Sequence, residues 1–288
     1  MIINNFFTNS LSLNIVFVSC RKAPKAASEC DFTNIKEDNF TIVSNDDSPE
    51  RTFNVFCKKV DVFGVYIYAT ENVSDPDLLH TSNIMAQYLD NDEDSIVDNP
   101  LVLEKMLENQ SVMVLFGSEK SSKKRVFLRS ANKLEGAYVF QDLYGDEIHP
   151  SWSLNSPFDA TLEEVLHLIT HSGFSKVYPS VFGEQKGSEV ANAMDKARGG
   201  QFDDVPSNYP SDTWYTYDDK TCEYNCQVTE YFYWALTSLL GAQDYPGRYD
   251  EIGQEWKANT PSLLESKDSD VYSILTDTIY KLPSVLPD

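Results

Sequence analysis

What most constrains this chain is a change of hydrophobic period near its midpoint. Ahead of Asp159, apolar residues tend to alternate. FNVFCKKVDVFGVYIYAT (53–70) predicts two strands with a turn near Asp61 to Gly64, SVMVLFGS (111–118) a short buried strand, and GAYVFQDLYG (136–145) a further one. Two helices lie among them, DPDLLHTSNIMAQYL (75–89) and PLVLEKMLEN (100–109), the second with Pro100 in its first turn. Beyond Asp159 the pattern is helical, over 161–172, 187–198, 227–241, 246–258 and 261–275. Strands early and helices late give an α+β fold, a mixed sheet followed by a mainly helical C-terminal half. The 288 residues can build a substantial core. We assign 52–288 to a single domain and the polar stretch 21–51 to a linker. GSEKSSKKRVF (117–127) reads as a basic, solvated loop with a helical turn. QFDDVPSNYPSDTWYTYDDKT (201–221) has no period and is long for an idle connection.

A formal net charge of −22 excludes the basic surface that nucleic-acid binding requires. Such acidity suits a soluble, saline or extracellular setting, or calcium binding. The first 20 residues, MIINNFFTNSLSLNIVFVSC, are moderately apolar and end at a cysteine, as a lipoprotein signal with Cys20 lipidated would. They contain no Lys or Arg, which such a signal normally carries. Later in the chain no apolar run is long enough to span a membrane. Among the five cysteines, Cys222 and Cys226 in TCEYNC are close enough to bridge across a turn, which fits an exported, extracellular or envelope-anchored protein.

The stretch EEVLHLITH (163–171) carries the densest chemistry. Thr161 and Glu164 have capping-box spacing, and Gly173 can end the helix. Glu164, His167 and His171 share one helical face, while Leu162, Val165, Leu166 and Ile169 are left to the core. Two of the four histidines fall here, and a third, His149, follows the preceding strand. Glu230 opens a second, strongly aromatic helix, where an unpaired carboxylate would be costly to bury. The bland alternative remains: histidines at the core edge bonded to carbonyls, and Glu230 as a helix-terminal acid.

VLHLITHSG followed by VTEYFYWAL resembles the zincin metallopeptidases, specifically the gluzincin branch with its lethal-factor-type domains, over about residues 110–245. The resemblance implies a zinc site with His167, His171 and Glu230 as ligands, strand 136–145 at the cleft edge, and a peptide or protein substrate. It implies an assisting tyrosine at Tyr224, with Tyr217 as the other candidate. The family's general base follows the first histidine, where this chain has Leu168, which cannot accept a proton. Glu164 is the candidate substitute. A shifted register reads EEVLH in place of H-E-x-x-H, so that Glu163, His167 and Glu230 bind and Glu164 is the base. A third reading makes Glu164 and His167 half of a di-iron site. Two functions follow: an exported zinc-dependent metallopeptidase, or a catalytically inactive binding or structural protein on the same scaffold.

Between the first two helices, DNDEDSIVDN places Asp90, Asp92, Asp94 and Asp98 at positions 1, 3, 5 and 9 of an EF-hand-like loop. Ser95 stands where such loops have glycine, and Leu101 where they have the bidentate glutamate. The expectation is a weak structural Ca²⁺ site.

Overall fold

A computed structural model describes residues 35–37, 40–134, 136–151 and 157–288. Cys20 and the whole 1–20 segment lie outside them. The fold is α+β, as the change of period predicts. Strands β1 (Ile35–Glu37), β2 (Phe40–Ser44), β3 (Lys58–Val62), β4 (Val65–Ala69), β5 (Ser111–Phe116) and β6 (Val139–Tyr144) form one sheet in sequence order. The pairs from β1 to β4 are antiparallel, whereas β5 runs parallel to both β4 and β6. Parallel neighbours need crossovers. Helices α1 (Asp75–Leu89) and α2 (Pro100–Glu108) provide the first, and α3 (Ser122–Ala131) the second.

Alternation along β5 shows how the sheet acquires two cores. Met113 and Leu115 join the larger cluster with α1, while Val112, Val114 and Phe116 join Phe53, Phe56 and Phe127 on the other face. Phe127 explains why 122–131 is a helix rather than the expected solvated loop. Ser121 caps it by accepting from Lys123 N at 3.2 Å, and Phe127 and Ala131 are buried against the sheet. The stretch read as a linker also contributes structure, since β2 lies within it and its Ile42 is fully buried. The β3–β4 turn falls where expected, with Phe63 and Gly64 at φ of 51° and 91°.

The C-terminal half contains α4 (Thr161–Ile169), a π-helical turn (Thr170–Phe174), α5 (Ser175–Val177) and α6 (Glu189–Ala197). It continues with α7 (Tyr224–Leu239), α8 (Arg248–Ile252), α9 (Pro261–Lys267) and α10 (Ser269–Leu275). The helix expected over 261–275 is two helices, because Asp268 breaks the run and caps Val271 N at 3.5 Å. Its other oxygen accepts from Trp214 Nε1 at 2.7 Å and from Tyr231 Oη at 2.6 Å. Gly173 does not end the helix, which runs through it as the π turn. A Cβ there would lie 2.7 Å from Val102 Cγ1, so glycine is what lets α2 approach so closely.

Candidate functional site

Helix α4 is pinned at its N-terminus by Asp159 rather than by the expected capping box. One Asp159 oxygen accepts from Thr161 N at 3.1 Å and His149 N at 3.0 Å, and the other pairs with His80 Nε2 at 2.6 Å. Ala160, not Thr161, is the N-cap residue. Glu164 is thereby relieved of any capping duty. Leu162, Val165, Leu166, Leu168 and Ile169 are buried in the main core. This leaves Glu163, Glu164 and His167 gathered opposite α7 and β6.

Helix α7 is fixed by its first turn. The Cys222–Cys226 disulfide, with Cα atoms 5.3 Å apart, closes the entry. Gln227 accepts from the buried Arg198 at 2.6 Å and donates to Cys222 O at 2.9 Å. One turn on, Glu230 projects to α4, with its nearest carboxylate oxygen 3.6 Å from His167 Nε2. On the opposite side of the ring, Nδ1 is 3.5 Å from Glu164. Ligand atoms of Glu163, Glu164 and His167 all lie within 4.8 Å of one another. Tyr233 reaches Glu163, and Tyr217, from the long loop, reaches Glu230. Gln141 on β6 donates to Glu164. His167 Nε2 is buried and makes no hydrogen bond. An orphaned ring nitrogen among carboxylates is the kind of exception that calls for an explanation, and an ion is one.

The electrostatics agree. Burial works against a charged His167, but Glu230, then Glu164 and Glu163, outweigh it and hold the imidazolium up to about 10. Burial, followed by repulsion from Glu230, pushes Glu163 up to about 8. Burial raises Glu230 as well. Behind them, burial lifts Glu255 to about 7 even though Trp234 Nε1 donates to it at 3.0 Å. Without a metal, the cluster therefore retains protons at neutral pH that a cation would displace.

The sequence-derived residues separate into two groups. His167, Glu230 and Glu164 meet. His171, the second expected zinc ligand, points its Nδ1 at both oxygens of Glu184, at 2.8 and 2.9 Å. At this point the helix takes a π turn, in which Ser175 N bonds Thr170 O, one residue beyond the α pattern. Tyr224 donates to Asp195 at 2.9 Å and stacks on Arg198, so Tyr217 is the tyrosine that meets Glu230. Tyr233, Gln141 and Glu184 are additions that sequence reasoning missed. Glu184 sits in FGEQKG, where no period gives it a face.

A groove of about 440 Å³, open to solvent, runs over the cluster between β6 and α7. Phe140 and Gln141 line one wall, Thr229 and Glu230 the other, and His167 and His171 lie between. β6 is the last strand of the sheet among the described residues.

In the acidic loop, Asp90, Asp92 and Asp94 bring one oxygen each within 4.8 Å of the others. Asp90 accepts from Asp94 N at 3.2 Å and Ser95 N at 2.8 Å, and Ser95 takes the left-handed φ of 73° that glycine usually supplies. Asp98 instead accepts from Asn91 N at 2.7 Å.

In comparison with known proteins, no family model, no curated protein and no solved structure matches the chain. No helix of the described residues is long and apolar enough to cross a membrane.

Proposed function

We propose that the α4–α7 cluster binds a divalent metal of the zinc type and hydrolyses peptide bonds of a substrate lying in the β6 groove, in an exported protein of zincin-like design. The observation that carries this reading is His167 Nε2, buried and without a hydrogen bond, with a Glu230 oxygen 3.6 Å away. The shifted register, with Glu163, His167 and Glu230 as ligands, is supported by the grouping of Glu163 and Glu164 with His167 within 4.8 Å and by Glu230 at 3.6 Å from His167 Nε2. The set with His171 would require that ring to leave Glu184. One imidazole with carboxylates suits zinc, and also manganese or iron. The ion would supply Lewis-acid polarisation of the scissile carbonyl and lower the pKa of water. Glu164, one-quarter exposed in its side chain and bonded by Gln141, which lines the groove, would be the proton acceptor in place of Leu168, which is buried in the core. Tyr217 and Tyr233 orient the carboxylates of Glu230 and Glu163. In the acidic loop, Asp90, Asp92 and Asp94 would hold a structural Ca²⁺.

Native mass spectrometry with added Zn²⁺ and Ca²⁺, paired with chelator-sensitive cleavage of fluorescein-labelled casein, tests the reading. The expected result is one Zn²⁺ per chain with cleavage, both lost in His167→Ala while Ca²⁺ is retained. Zn²⁺ without cleavage leaves the second reading, a non-catalytic binding protein. No Zn²⁺ at all ends both metal readings.

A further inference from the structure

His171 lies in the groove but is engaged away from the cluster. Both oxygens of Glu184 bond its Nδ1, and Glu184 is itself fixed by Thr229 Oγ1 at 3.1 Å and approached by Lys176 Nζ at 3.7 Å. The Glu184 side chain is 10% exposed and that of His171 is 42% exposed. A buried carboxylate thus holds an open ring by one nitrogen. Because a carboxylate only accepts, Nδ1 must carry a proton, so in the neutral form of the ring the lone pair is on Nε2. Nε2 is on the part of the ring turned away from Glu184, and His171 is among the residues that line the groove. Thr229 sits next to Glu230, so the same helix that supplies a proposed metal ligand also anchors the carboxylate orienting His171.

We propose that His171 is a substrate-contacting residue that accepts an amide N–H from a peptide in the groove, oriented by Glu184, and is not a metal ligand. This rests on the metallopeptidase reading of the neighbouring cluster. A group fixed by a second hydrogen bond loses little orientational freedom on binding, which is how a single contact in an open groove can count towards affinity.

Two measurements on the full chain test it. In a long-range ¹H–¹⁵N spectrum of the four histidines, Zn²⁺ is expected to shift His167 while His171 keeps its Nδ1–H pattern. Fluorescein-labelled casein is then titrated, by fluorescence anisotropy, against the Zn²⁺-loaded chain carrying Glu164→Gln, so that the probe is not consumed. Adding His171→Phe is expected to weaken binding about tenfold with Zn²⁺ stoichiometry unchanged, the effect of about one hydrogen bond. His171→Asn, which still offers an acceptor, is expected to recover part of that loss, and Glu184→Ala to cost part of it. Coordination shifts at His171, or Zn²⁺ lost in His171→Phe, make the residue a ligand and overturn this inference alone. Unchanged casein affinity with only a lowered Tm makes it a structural latch and overturns it as well. If no histidine responds to Zn²⁺, the metallopeptidase reading fails and this inference with it.

Discussion

Glu164→Gln is expected to lower casein hydrolysis by about 10²- to 10⁴-fold, the usual contribution of a general base, while Zn²⁺ stays at one per chain. The substitution is nearly isosteric, and the Gln141 Nε2 donor keeps an oxygen to bond. The helix start is untouched, because Asp159 and not Glu164 pins it. Glu163→Gln provides the contrast. It removes a proposed ligand charge, so the loss should appear first as weaker Zn²⁺ binding and only then as lost hydrolysis. A rate that is unaffected by Glu164→Gln, measured with Zn²⁺ bound, rules Glu164 out as the base. The vacancy left by Leu168 would then have no occupant on α4, and the non-catalytic reading would gain. Separating metal content from rate is what makes the pair informative, since either variant alone could fail for structural reasons.

The elements legible in the sequence were those whose burial repeats locally. Met113 and Leu115 alternate with Val112, Val114 and Phe116 because β5 is buried on both faces, and that run reads directly as a strand. The apolar stripe of α4 likewise assigns Glu164 and His167 to the other side without any knowledge of partners. Helix α3 was harder to see. Its lysines and arginines dominate the composition, and the buried side comes down to Phe127 and Ala131. The π turn was invisible, because no residue pattern distinguishes it. Gly173, within it, lies against Val102 on α2 with no room for a Cβ. The ligand set drawn from i, i+4 spacing differs from the set the geometry brings together because Glu184, from an aperiodic segment, takes His171. Residues recruited from aperiodic segments, Glu184 and Tyr217, could be placed only by coordinates. The long 201–221 loop announced itself by length, but which of its tyrosines would reach Glu230 depended on how the Cys222–Cys226 bridge and Arg198 fix the entry to α7.

The metal-free chain is expected to lose thermal stability steadily as pH rises from about 5 to 9, and Zn²⁺ to reverse the loss. The sign follows from raised folded-state values. Glu163 goes from 4.5 to about 8, so its stabilising contribution is complete below the unfolded value and vanishes as pH climbs through the folded one. Glu255, raised from 4.5 to about 7, loses its contribution earlier. His167, raised from 6.5 to about 10, keeps its contribution below 6.5 and gives it up last. All three act in one direction. Asp159, lowered by its hydrogen bonds to His80 and His149 N against the effect of burial, loses its contribution only on the acid side of its ordinary 3.8. A divalent cation replaces the displaced protons with its own charge, so its binding releases protons and strengthens with pH. At free Zn²⁺ near 100 times its dissociation constant the gain is about 2.7 kcal/mol, or about 4–5 °C in Tm for a chain of this size. Thermal melts across pH, with and without Zn²⁺ and repeated in His167→Ala, check this. The expected result is a Zn²⁺ shift that grows towards alkaline pH and is absent from the variant. A shift of equal size at all pH values would mean that the ion binds groups whose protons the fold does not perturb, and the α4–α7 cluster would lose its claim to the metal.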